Sequence, residues 1–241
     1  MIDVKGVRKG YFGSPVVEDV SFTVNDGTTM GLIGYNGAGK TTLLRVIAGV
    51  YHPEAGYVLL DGEPVWENPM KKAETFMLTE DLYFLPGATL DKMRAFYAGY
   101  IPSWDDEVYE RLHRAFRLPT GSRIAGFSRG MRRQAGIVLA FSARPRYLLL
   151  DEVFDGLDLI MRRVTATLLE EYVRTSGAAA IVASHNLREL EDRIDELVMI
   201  RNNRLAFCGP VADIQNSHGT LEEYFASERE VDEAAFVGVF S

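Results

Sequence analysis

The chain has 241 residues, longer than a typical single domain and short of two comfortable ones, which suits one α/β domain with a sizeable insertion. With 47% apolar and 25% charged residues it is composed to bury a core, and disorder is excluded. Its 26 lysines and arginines against 34 acids leave a net charge of −8, which argues against duplex DNA or an anionic lipid surface as the main partner but leaves room for a local phosphate site.

The single cysteine, Cys208, allows no internal disulfide and fits a reducing compartment. Met1-Ile2-Asp3 opens onto a strand pattern rather than a basic-then-apolar leader. No apolar run approaches the ~20 residues that span a bilayer. A soluble, cytosolic chain that meets a membrane only through a partner is therefore expected.

In chain order, Ile2, Val4 and Val7 predict a strand that turns at Gly10-Tyr11-Phe12-Gly13. Val20, Phe22 and Val24 predict its antiparallel return, closed by Asn25-Asp26-Gly27. Met30 to Ile33 form a short apolar strand that runs through a glycine-rich turn into a helix over 41–48. Tyr57 to Leu60, followed by Asp61-Gly62, predict another strand and turn. From about Ala88 to Ala143 the pattern is helical, with Ser103 and Asp106 expected as a capping box. Tyr147–Leu150 and Ala178–Ala183 are apolar enough for strands covered on both faces. Leu197–Arg201 and Leu205–Cys208 flank Asn202-Asn203 as a hairpin, and the chain beyond His218 is acidic and expected to be partly helical.

Gly34-Tyr35-Asn36-Gly37-Ala38-Gly39-Lys40-Thr41 matches G-x-x-x-x-G-K-[ST], and Thr42 follows. Such spacing curls successive N–H groups around a β-phosphate and sets a helix N-terminus behind them. Lys40 would neutralise β- and γ-phosphates, and Thr41 would offer its hydroxyl to Mg²⁺. The second requirement is a carboxylate at the end of another core strand. Leu148-Leu149-Leu150-Asp151-Glu152 supplies Asp151 for the metal shell and Glu152 to polarise an attacking water.

With these motifs the chain resembles the nucleotide-binding subunit of ATP-binding cassette (ABC) transporters along nearly its whole length. Phe127-Ser128-Arg129-Gly130-Met131 looks like the family's L-S-G-G-Q signature, Gly156-Leu157-Asp158 like its D-loop, and Ser184-His185 like its switch histidine. Tyr11 stands where an aromatic residue stacks on adenine. The resemblance implies a P-loop NTPase (RecA-like) core with an N-terminal antiparallel β layer and an inserted helical subdomain. Residues 1–241 would form one ABC ATPase domain: about 1–87 and 144–210 as β layer and core, 88–143 as the helical subdomain with the signature, and 211–241 as a helical tail. It further implies ATP hydrolysis with Mg²⁺ by two cassettes paired head to tail, as a homodimer or with a sister cassette. Ser128 and Gly130 would donate to the partner's γ-phosphate, Glu152 would act as base, and His185 would hold the γ-phosphate. The implied partners are integral membrane permease subunits, at the cytoplasmic face of the membrane.

Three departures stand out. Arg129 and Met131 replace the signature's Gly and Gln, although Ser128 and Gly130 remain. Asp151-Glu152 is followed by Val153-Phe154 instead of Pro-Thr. Alignment on Tyr83 and Pro86 puts Glu80 where the Q-loop glutamine is expected, with Thr79 and Asp81 as alternatives, so a carboxylate is expected beside the metal and the water. The Ser-Arg-Gly-Met-Arg run, Trp104-Asp105 and Glu80 resemble cassettes of bacterial ABC-2-type exporters, which points to export over import.

The remaining features have ordinary expectations. Leu82-Tyr83-Phe84-Leu85 would either receive a coupling helix from the permease or pack the insertion onto the core. Arg129, Arg132 and Arg133 are expected on exposed helix surface, and Cys208 as a small buried residue. His52, His113 and His218 lack metal-ligand spacing. The acids from Glu222 to Glu233 form a solvated face. A non-transport ABC ATPase would need tandem cassettes or a basic arm, and a P-loop kinase an arginine-bearing lid.

Overall fold

Two sheets organise the chain, and the hairpin at its start builds the first. In the computed structural model, which describes residues 1–185, 193–221 and 223–224, Ile2–Tyr11 (β1) pairs antiparallel with Ser14–Val24 (β2). Ala55–Leu60 (β4) joins the other side of β1, and Glu63–Pro64 (β5) closes the order β2-β1-β4-β5. Alternate residues Ile2, Val4, Val20, Phe22 and Val24 face inward, as the period of two requires.

The second sheet is the core. Its order is β10-β9-β3-β8-β7-β6, built from Thr29–Ile33 (β3), Thr75–Leu78 (β6), Tyr147–Asp151 (β7), Ala179–Ser184 (β8), Glu196–Arg201 (β9) and Arg204–Pro210 (β10). All neighbours run parallel except β9 and β10, which form the expected hairpin. Strands β3, β7 and β8 are buried along their whole length because both faces are covered. Tyr147 and Leu149 face the β layer and Lys40–Ile47 (α1), while Leu148 and Leu150 face Arg129–Ser142 (α5) and Leu159–Ser176 (α6).

Between β6 and β7 the chain is helical, as expected: Leu90–Ala98 (α3), Asp106–Ala115 (α4) and α5 share a small core of their own around Leu90, Tyr109, Phe127 and Leu139. The cap of α4 differs from the expectation. Asp105, not Ser103, caps it, accepting from the N–H groups of Glu107 and Val108, while the Ser103 hydroxyl donates to the Ala143 carbonyl 2.7 Å away. Three short elements escaped the sequence reading: the edge strands β5 and β6, and Pro69–Ala73 (α2), capped by Asn68.

Cys208 is exposed, not buried, because it falls on the solvent phase of edge strand β10. Val211–His218 (α7) begins the C-terminal region. Residues 225–241, and with them most of the expected acidic face, lie outside the described residues, as does the side chain of His218. Among the described residues no helix is long and apolar enough to cross a membrane.

Candidate functional site

Strand register brings the motifs together. Ile33 pairs with Ser184, Asp151 with Ala183, and Leu78 with Leu150, so the residues that follow leave the same edge of the sheet. That edge carries the carboxyl ends of parallel strands, where α/β sheets bind ligands. A cavity of about 550 Å³ lies there, lined by residues 35–42 of the phosphate loop together with Val16, Glu80, Glu152, Asp155 and His185.

The loop itself depends on Gly39. This residue caps α1 with φ of 96°, and a Cβ there would stand 2.5 Å from the Val16 carbonyl oxygen, so no larger residue fits. The first N–H groups of α1 therefore face the cavity with the helix dipole behind them. Lys40 is buried, and its Nζ donates to the Gly34 carbonyl at 2.8 Å. Tyr11 stands beside the loop, its hydroxyl 3.4 Å from Thr42 Oγ1 and its ring edge-on to Tyr51.

Asp151 sits behind the loop at the end of β7. Its Oδ2 accepts from Thr41 Oγ1 at 2.8 Å, and its Oδ1 is buried with no hydrogen-bond partner. Burial raises its pKa, opposed by the Thr41 hydroxyl. An orphaned carboxylate oxygen next to a threonine hydroxyl has the chemistry of a hard divalent cation site, so Thr41 and Asp151 fit Mg²⁺.

Glu152 leaves the strand with φ of 49°, a left-handed conformation that costs a non-glycine residue about 1–3 kcal/mol. Its carboxylate is nevertheless fixed. Oε2 accepts from His185 Nδ1 at 2.9 Å and from the His185 N–H at 3.3 Å, while Oε1 lies 3.6 Å from Lys40 Nζ. A strained backbone held by three contacts marks a site that is organised before its ligand arrives. Asp155, which the motif reading passed over, joins this group: ligand atoms of Glu152, Asp155 and His185 all lie within 4.8 Å of one another. Its spacing of four from Asp151 was the available signal.

Glu80 lines the cavity two residues beyond β6. Ser128, Gly130 and Asp158 do not line it. Ser128 caps α5, accepting from Met131 N–H at 3.2 Å, and Asp158 caps α6, accepting from Met161 N–H at 2.9 Å. Of the arginines on this helix, Arg129 and Arg132 are exposed as expected and Arg133 is not. Arg132 donates to the carbonyls of Phe127 and Ala125, bracing the signature turn, and Arg133 is 3% exposed. The cluster at 82–85 divides: Tyr83 is 75% exposed, whereas Leu82, Phe84 and Leu85 pack against the two cores beside it.

Among known proteins, residues 17–155 match the family model described as ABC transporter. The chain is 29% identical over 228 residues to the ABC transporter ATP-binding protein YtrB of Bacillus subtilis (strain 168), covering 95% of this chain and 78% of that protein. It is 30% identical over 230 residues to the lipopolysaccharide export system ATP-binding protein LptB of Escherichia coli (strain K12), covering 90% of this chain and 94% of that one. A solved structure described as the ATP binding subunit of an ABC transporter superposes with a TM-score of 0.86 at 30% identity, over 94% of this chain and 98% of that chain.

Proposed function

The chain belongs to the ABC transporter family as one of its ATP-hydrolysing, ATP-binding members, and from that premise we propose that it is half of a two-cassette motor driving export through separate membrane subunits. The observation that carries the chemistry is Glu152, whose carboxylate is held by His185 and Lys40 at the mouth of the phosphate loop.

The loop N–H groups and Lys40 bind the triphosphate, with Lys40 exchanging the Gly34 carbonyl for phosphate oxygens. Tyr11 supports the adenine end. Thr41 and Asp151 would hold Mg²⁺, with Glu80 beside it; bound there, the ion would neutralise charge on the β- and γ-phosphates. Glu152 takes a proton from the attacking water, and His185, fixed by the same carboxylate, steadies the γ-phosphate. Ser128, Gly130 and Asp158 stand at helix N-termini outside the cavity, which supports completion of each site by a second cassette. Cleavage then removes the charge that joins the halves, and the pair opens.

Exchanging Ser128 for Arg tests this arrangement. Turnover is expected to fall by about 100-fold or more, with nucleotide affinity of the single cassette retained. Undiminished turnover in a steady-state ATPase assay would contradict completion of the site by a second cassette.

Glu80 adds a negative charge where the family pattern has an amide. Glu80→Gln is expected to tighten binding of metal-free ATP on the order of fivefold, from relief of repulsion across several ångströms. It is also expected to require more Mg²⁺ for half-maximal turnover. A titration with and without EDTA reads both.

The permease would dock around Tyr83, above a recess of about 260 Å³ lined by Leu82 to Ala88 and Arg132. Export rests on the signature run, Trp104-Asp105 and Glu80. Relatives named for import match the chain too, so direction is read from transport itself.

A further inference from the structure

Arg133 occupies an unusual place for a charged residue on a helix. It is 3% exposed, and its guanidinium fork grips two successive main-chain carbonyls: Nη1 donates to Thr79 at 2.9 Å and Nη2 to Glu80 at 3.0 Å. Burial works against the charge, which Asp155 and then Glu80 support from nearby. A buried charge is costly unless its hydrogen bonds are well made, and here they hold the backbone of a residue that lines the phosphate cavity. Only a planar fork spans both carbonyls; an ammonium or an amide would satisfy one well.

The rest of α5 makes the same junction rigid. At Gly136, one turn further on, a Cβ would come within 2.8 Å of Leu78 Cδ1 and 3.0 Å of Leu82 Cδ2, so the helix lies directly against the segment leaving β6. One turn earlier, Arg129 lies across Gly156, with Cγ and Nε 3.1 Å from where a Cβ would stand. One helix thus contacts both loops that carry the cavity acids, and Ser128 caps its N-terminus.

We propose that Arg133 is a positioning residue that ties Glu80 to the signature helix, so that nucleotide in one site governs how Ser128 and Gly130 are presented to the other. This rests on the two-cassette reading. The Arg133 tether, together with the close packing at Gly136, makes the end of β6 and the start of α5 move as one body, which gives the two sites a mechanical link.

The experiment compares wild type, Arg133→Gln and Arg133→Lys for ATP turnover, the Hill coefficient and the Mg²⁺ midpoint for binding a fluorescent ATP analogue. With Arg133→Gln, kcat is expected to fall about 10- to 100-fold from misplaced Glu80, while KM stays within about threefold. The Hill coefficient is expected to drop from about 2 to about 1. The Mg²⁺ midpoint for binding is expected to rise, in the same direction as the Mg²⁺ requirement for turnover in Glu80→Gln, a change that a purely packing role would not produce. Arg133→Lys, which keeps the charge and can reach one of the two carbonyls well, is expected to recover part of the loss, and it carries the test if Arg133→Gln fails to fold. Wild-type kcat, Hill coefficient and Mg²⁺ midpoint in the folded variants would overturn the proposal. A wild-type Hill coefficient of 1, with no ATP-induced dimer of Glu152→Gln, would contradict the two-cassette reading and the coupling built on it. The Mg²⁺ midpoint would then still decide whether Arg133 places Glu80.

Discussion

Replacing Glu152 with Gln is expected to lower ATP turnover by about 10²- to 10⁴-fold while leaving ATP bound. The amide has nearly the same shape and can still accept from the His185 N–H, so the cavity keeps its walls. What it loses is the ability to take a proton from water and the negative partner of Lys40, 3.6 Å away. Because the γ-phosphate then stays in place, the charge bridging two cassettes persists. With ATP and Mg²⁺ the variant is expected to double its mass by light scattering. A variant that remains monomeric under those conditions would count against the two-cassette motor.

Lys40→Ala is expected to have the second large effect, weakening ATP binding by about 100-fold or more. Truncating one partner of a desolvated charge contact costs about 2–5 kcal/mol, and each 1.4 kcal/mol is a factor of about ten. Lys40 is 7% exposed and rests on the Gly34 carbonyl, so the free protein already holds it at the phosphate loop. Its loss also removes the ammonium 3.6 Å from Glu152 Oε1. Unchanged affinity in a fluorescent-nucleotide titration would sink the phosphate-loop assignment.

The parts of this site that were legible in the sequence are those whose chemistry demands fixed spacing. The loop from Gly34 to Thr41 must curl around a phosphate, and Asp151-Glu152 must end an apolar strand; both requirements leave marks in consecutive residues. The parts that were not legible depend on segments distant in sequence. Arg133 reads as exposed by residue type, and only the arrival of Thr79 and Glu80, more than 50 positions earlier, buries it. Strand β6 has four residues and sits at a sheet edge, too short for its alternation to stand out beside the five-residue helix before it. At 103–106 two good capping residues competed, and Asp105 won because Ala143 claims the Ser103 hydroxyl. Cys208 shows the limit of alternation: a period of two reveals that β10 has two faces but not which one meets solvent.

The left-handed backbone of Glu152 belongs to the same class. Nothing in Asp151-Glu152-Val153 announces it, yet it accompanies the placement of the carboxylate between His185 and Lys40.

This ATPase is proposed to power a membrane partner. The most direct test is purification of tagged Glu152→Gln from membranes of its native cell in the presence of ATP, with mass spectrometry of what remains bound. A polytopic membrane protein in stoichiometric amount is the predicted result. A soluble partner in its place, or a chain that stays in the cytosol with none, would contradict the transport motor and favour an ABC ATPase that works away from the membrane.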